Sequence, residues 1–188
     1  MERTSPAHGL SGRRDGRIVH PLEPVFDKKS RVLVLGTMPS PRSRAEGFYY
    51  MHPGNRFWPV LAEVFDPGAA AAGRVPQTVS ERRAFALSHG IALWDVLASC
   101  VIEGAEDASI REPVVNDFSL LLRAAPISLI ATTGQTAHRL YTRLCLPRTG
   151  RDALCLPSPS GANRRVPFAD LVAAYRVLLP GGMDCRIL

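Results

Sequence analysis

Apolar residues recur along this chain in two rhythms. RVLVLG (31–36) is a short unbroken apolar run bounded by Ser30 and Gly36, the pattern of a strand covered on both faces. GIALWDVL (90–97), SLIATTG (128–134) and DALCLPS (152–158) repeat that pattern. Between these runs the apolar positions take helical spacing: Phe57, Val60, Leu61, Val64 and Phe65 after Asn55, then SERRAFALSHG (80–90), with Ser80 as N-cap and Gly90 as stop. NDFSLLLRAA (116–125), GQTAHRLYTRL (134–144) and the amphipathic VPFADLVAAYRVLL (166–179) read as helices too.

Strands alternating with helices predict an α/β fold, a three-layer α/β/α arrangement with a short, mostly parallel central sheet. The 188 residues suit one domain able to bury a core without metals or cross-links. We expect that domain over 26–180, with 1–25 as a poorly ordered arm, 181–188 as a flexible tail and PGAAAAGRVPQT (67–78) as a surface loop. In such sheets ligands bind beyond the carboxyl ends of the strands. The loops to inspect are therefore GTMPSPRSR (36–44), TTGQ (132–135) and LPSPSGANRR (156–165).

Charge adds little. The net charge of +6 suits a polyanionic partner, but only Lys28 and Lys29 of the 23 basic residues are lysines, and G/C-rich coding explains that skew as well as phosphate binding does. The N-terminal MERTSPAHGLSGRRDG has no apolar run of signal-peptide type, and the other apolar stretches fall short of a membrane span. A soluble, cytoplasmic protein with no membrane partner is expected. Cys100, Cys145, Cys155 and Cys185 form no C-x-x-C pair and have no nearby histidine, so they read as reduced thiols and not as metal ligands.

Each of the loops has a chemical and an ordinary reading. In GTMPSPRSR, Gly36 permits close approach, and Ser40, Ser43 and Arg44 could contact a phosphate; a plain strand-to-loop turn fits equally. LPSPSGANRR offers Ser158, Ser160, Gly161 and Arg164 in the same way, or is a loop with solvated arginines. FYYMHPGNRFW (48–58) places five aromatic rings around a Pro-Gly turn: Phe57 and Trp58 start a helical stripe, while His52 is a phosphate donor or a surface histidine. Asn55 at the turn reads as a helix N-cap, the commonest use of asparagine in that position. No Ser/His/Asp, Cys/His or paired-carboxylate constellation emerges, because the acidic residues are scattered.

Taken together, GTMPSPRSRAEGFYYMHPGNRFW, GIALWDVLASC and LPSPSGAN resemble the uracil-DNA glycosylase superfamily, and within it the hypoxanthine-DNA (deoxyinosine) glycosylase branch. The similarity runs from about Arg31 to Leu179. Mismatch-specific cousins carry a catalytic asparagine at the third position of the first loop, where this chain has Met38; a thioether can neither orient water nor read a base edge. The resemblance therefore implies Asn55 as the catalytic residue, Tyr50 as the ring stacked on an extruded base, and Gly36, Thr37, Met38, Thr133 and Gly134 as base-binding positions. It puts the wedge that fills the vacated stack near Ala162 and Asn163, with Arg164 as an alternative, and Thr133 stands where relatives often have asparagine.

The activity so implied is a monofunctional glycosylase that flips a deaminated base from DNA and leaves an abasic site for base excision repair, without metal or cofactor. Damaged DNA is the expected partner, the protein is expected to be a monomer, and its place is the nucleoid through that DNA. A uracil or mismatch specificity, or an inactive damaged-DNA-binding module, are the alternatives.

Overall fold

The structure is a computed structural model and describes residues 16–103 and 107–182. Its elements in chain order are β1 (Arg17–Val19), β2 (Val32–Gly36), α1 (Pro41–Glu46), α2 (Phe57–Phe65), α3 (Pro67–Ala71), α4 (Val79–Ser88), β3 (Ile91–Asp95) and β4 (Leu97–Val101). There follow β5 (Arg111–Val115), α5 (Ser119–Ala124), β6 (Leu129–Thr133), α6 (Gln135–Leu144), α7 (Leu146–Thr149), β7 (Leu154–Leu156) and α8 (Phe168–Tyr175).

Four strands, in the order β3-β2-β6-β7, make an all-parallel sheet. Successive side chains of these strands point to opposite faces, and each face has its own core. Val32, Val34, Ile91 and Leu93 meet α2 and α8 through Phe57, Trp58, Leu61 and Leu171. On the other face Leu33, Leu35, Ala92 and Ile130 meet α5 and α6 through Leu121, Ala137 and Leu140. Both faces are covered, which is why these strands read as continuous apolar runs. The three-layer α/β/α fold expected from the sequence is the fold observed.

Several local expectations are corrected. GIALWDVL is two strands: at Val96 and Leu97 the backbone N–H groups donate to Gly36 O and Thr37 O, and the chain then leaves the parallel sheet. β4 pairs antiparallel with β1 and β5 in a second, three-stranded sheet that the reading did not contain. Its edge strand β5, REPVV, carries Pro113 and two charges, which are edge-strand features.

The expected arm is ordered from residue 16 onward. Arg17–Val19 pair with Ser99–Val101, and Val25, fully buried, exchanges backbone hydrogen bonds with Leu93. Residues 1–15 lie outside the described residues, as do 183–188 of the expected tail; Gly182 N–H caps Leu179 O. Within the expected loop 67–78 a short helix starts at Pro67 behind an Asp66 cap. α4 begins ahead of Ser80, capped by Thr78 in a reciprocal pair with Glu81. No helix among the described residues is long and apolar enough to cross a membrane.

Candidate active site

The three loops singled out above meet beyond the carboxyl ends of the parallel strands, around a cavity of about 160 Å³. Larger clefts exist elsewhere on the surface, so size does not select this one. Its distinction is chemical: Gly36, Thr37, Met38 and Ser40 from the first loop, Tyr50 and Asn55 from the aromatic turn, Asp95, Thr133, Ser158 and Ser160 all border it.

The aromatic turn is built on core packing. Phe48, Tyr49, Phe57 and Trp58 are each at most 2% exposed, and the Trp58 indole N–H donates to Tyr49 O at 3.1 Å. Tyr49 and Tyr50 both border the cavity, and Tyr50 lies flat on Phe57 with centroids 3.8 Å apart. Its φ of +55° is rare for a bulky residue and is held by that stack and by a hydrogen bond between its hydroxyl and Thr133 Oγ1 at 3.2 Å. Thr133 Oγ1 in turn donates to Leu35 O. Burial, with the Asp95 carboxylate near, pushes the Tyr50 hydroxyl far above its ordinary range, so it stays a proton donor.

Asn55 lies one residue ahead of Arg56, the N-cap of α2. Its Oδ1 accepts the Phe57 backbone N–H at 2.9 Å, satisfying one of the unpaired donors at the start of α2, and its half-buried side chain also borders the cavity. That bond fixes which end of the carboxamide is oxygen. A carbonyl oxygen has a second lone pair, so the capping bond leaves one acceptor position open.

Two site residues escaped the sequence reading. Asp95, at the end of β3, is 4% exposed, and its Oδ2 accepts from His20 Nε2 at 2.9 Å. His20 Nδ1 accepts the Leu22 backbone N–H at 3.0 Å, which leaves the ring's proton on Nε2. Burial pushes the Asp95 carboxyl above its ordinary range, and the His20 hydrogen bond pulls it partly back. The available signal was an acidic residue closing a buried strand; nothing local marked His20, which lies 75 residues away in sequence.

Gly36 is where Asp95 approaches: a Cβ there would stand 2.2 Å from Asp95 Oδ1. The last loop closes on the aromatic turn just as tightly, since a Cβ at Gly161 would stand 2.6 Å from Gly54 O. Arg56 ties the two together. Its N–H donates to Pro159 O, and its guanidinium to Val166 O at 2.7 Å and Asn163 O at 2.6 Å. Arg56 is the third residue that sequence reasoning passed over.

The remaining expected residues divide. Ser40 caps α1 and bonds Ser43, whose hydroxyl accepts the Met51 N–H; Arg44 folds back onto Pro39 O at 2.7 Å. These three hold the first loop in shape. Ser158 and Ser160 hydroxyls accept the backbone N–H groups of Ser160 and Ala162, and the Asn163 amide donates to Ser158 O, so Asn163 is an internal strut. Gly134, at φ +102°, lets α6 start against Ser158. His52, Ala162 and Arg164 are exposed outside the cavity.

Three comparisons bear on this arrangement. A family model described as "Uracil DNA glycosylase superfamily" matches residues 23–178. A protein of Methanosarcina acetivorans named hypoxanthine DNA glycosylase is 36% identical over 143 residues, covering 75% of this chain and 85% of the relative. Its namesake from Methanosarcina barkeri is 35% identical over 145 residues, covering 76% and 86%. A solution NMR structure of a Methanosarcina acetivorans protein, provisionally described as a uracil DNA glycosylase, superposes with a TM-score of 0.67 at 32% identity, over 84% of this chain and 96% of that one.

Proposed function

The chain belongs to the uracil DNA glycosylase superfamily, and from that premise we propose that it releases a deaminated base, hypoxanthine first, from DNA by hydrolysing the N-glycosidic bond with a water held by Asn55. The observation that carries the reading is the pairing of the Asn55 carboxamide with the Tyr50 ring across one small cavity at the strand ends.

A base inside a duplex is out of reach, so the nucleotide must leave the stack at a cost of a few kcal/mol, least where pairing is already poor. Stacking on Tyr50 offsets about 1–3 kcal/mol of that cost. Phe57 behind the ring keeps it from tilting away. The Phe57 N–H holds the Asn55 amide still, and the second lone pair of Oδ1 accepts a water proton, aiming the water's oxygen at the anomeric carbon.

As the C–N bond lengthens, positive charge gathers on the sugar and negative charge on the departing base. The DNA's own phosphates favour the first, and the backbone of the Gly36 loop borders the second. Water takes the place of the base, the bond's electron pair leaves with the base, the proton shed by the water ends on the released base, and the product is an abasic site. The chain's two lysines, Lys28 and Lys29, lie outside the cavity, so no lysine amine is placed there to cut the strand.

Duplexes bearing hypoxanthine, uracil, xanthine or a G·T mismatch, treated with the protein and then hot alkali, test the reading. Strand scission at hypoxanthine above all others is expected, and none without alkali. Scission at uracil or the mismatch alone would move the specificity to those bases. Tight binding to damaged duplex with no abasic product from any of them would leave a binding module in place of an enzyme.

A further inference from the structure

Residues 118–151, which build α5, β6, α6 and α7, contain Arg123, Arg139, Arg143, Arg148 and Arg151 and no aspartate or glutamate. A coding bias puts arginine in place of lysine, but it does not remove the acids. α5 and α6 cover the same face of the parallel sheet, so the cationic charge of this stretch gathers on one side of the molecule. All five side chains are exposed, and none makes an ion pair among the described residues.

Arg139 and Arg143 stand one turn apart on the exposed side of α6, about 6 Å along its axis. Successive phosphates of one DNA strand advance about 3.4 Å each, so the two guanidiniums span neighbouring phosphates. Arg123 of α5, Arg148 of α7 and Arg151 beyond it line one cleft of about 360 Å³. The Arg151 guanidinium is anchored on Ile127 O at 2.6 Å. Asp117, on the rim of the cleft, has its Oδ1 bonded by the Ser119 N–H and hydroxyl. A cleft dominated by one sign of charge concentrates its field and captures polyanions, and the planar fork of a guanidinium matches a phosphate group.

This face is not the one that holds the extruded nucleotide. α6 starts beside Thr133 at the cavity and runs away from it, so the arginines descend the side of the molecule. DNA is stiff, with a persistence length of about 150 base pairs, and a duplex seated on the strand-end loops does not turn down α6 without a sharp bend. Resting on the glycosylase reading only for DNA as the partner, we infer that the α5–α7 face binds a second, undamaged duplex by its phosphates. A protein that holds two duplexes passes from one to the other without first coming free, which suits the search for a rare damaged base among many sound ones. Contacts to phosphates carry no sequence information, so the surface takes duplexes of any sequence.

The experiment follows, in stopped flow, the dissociation of a fluorescent duplex of about 12 base pairs, roughly 40 Å long, from the full chain. Its hypoxanthine nucleotide carries a 2′-fluorine, which slows hydrolysis, and unlabelled undamaged duplex of the same length is the competitor. The wild type is expected to lose the labelled duplex about tenfold or more faster at high competitor concentration than at low. Arg139→Gln/Arg143→Gln, with its melting temperature as a check on folding, is expected to dissociate at a rate nearly independent of competitor. It should still release hypoxanthine in single turnover at the wild-type rate. A wild-type dissociation rate indifferent to competitor overturns the inference, as does a dependence undiminished both in that variant and in Arg123→Gln/Arg148→Gln. Affinity that grows with duplex length, with no response to competitor, overturns it too and gives the face to the flanks of one bent duplex. In each of these cases a wild type that releases hypoxanthine leaves the glycosylase reading standing. Transfer between duplexes by a wild type that releases no base would keep the second surface and remove that reading.

Discussion

Asp95 keeps a carboxyl group 4% exposed, with one imidazole as its side-chain partner, and burial holds it above the ordinary value of 3.8. A carboxyl raised in the folded state binds its proton more readily there than in the unfolded chain. The stability so gained is fully present below 3.8 and is lost as pH rises through the raised value. Asp95→Asn keeps an acceptor for His20 without the charge. Its melting temperature is expected to exceed that of the wild type near pH 7, with the gap closing as pH falls to about 4. A variant less stable at every pH would show that the carboxylate is already well compensated. A residue that weakens the fold at neutral pH while bordering the cavity is what a functional site demands. At this scale the sequence marked Asn55 through its setting in a rare turn; Asp95 looked like the end of a strand, because periodicity reports burial and not the partner that a buried acid will find.

Among the elements, two arginines on the same pair of loops stand in opposite surroundings. Arg56 ties the aromatic turn to the last loop through three carbonyls, whereas Arg164 is exposed and has no ion pair among the described residues. Replacing each by glutamine should separate the two roles. Arg56→Gln is expected to cost about 1.5–3 kcal/mol in urea unfolding. Arg164→Gln is expected to leave stability within about 0.5 kcal/mol while weakening DNA binding and reducing the slope of log affinity against log salt by about one. Equal stability for Arg56→Gln, or an unchanged salt slope for Arg164→Gln, would cancel the corresponding assignment. The legible elements were those with enough apolar residues to show a period: β2 and β6, buried on both faces, and α2 and α6. β1 and β5 escaped because they are short edge strands whose partner β4 was concealed within an apparently continuous run. α1 and α3 escaped because each is too short to display a helical stripe.

The molecule as a whole gathers its chemistry by topology. A parallel sheet delivers every β-to-α loop to one end, so segments separated by more than a hundred residues, such as Thr37 and Ser158, share one cavity. That convergence was predictable from the alternation of strands and helices, and with it most of the cavity wall. The strap of residues 16–25 was not predictable. Its contribution, His20 against Asp95, is a long-range contact that leaves no local pattern, and a stretch of short apolar positions between prolines and charges looks like a tail until the surface it covers is known. All of this arrangement matters to function only if the Asn55 amide does what its position suggests. The most direct test is the single-turnover rate of hypoxanthine release by Asn55→Ala against the wild type, with unfolding followed in parallel. Loss of the Phe57 cap should cost about 1 kcal/mol of stability, while base release should slow by about 10²-fold or more. A folded variant that releases hypoxanthine at close to the wild-type rate would contradict the account.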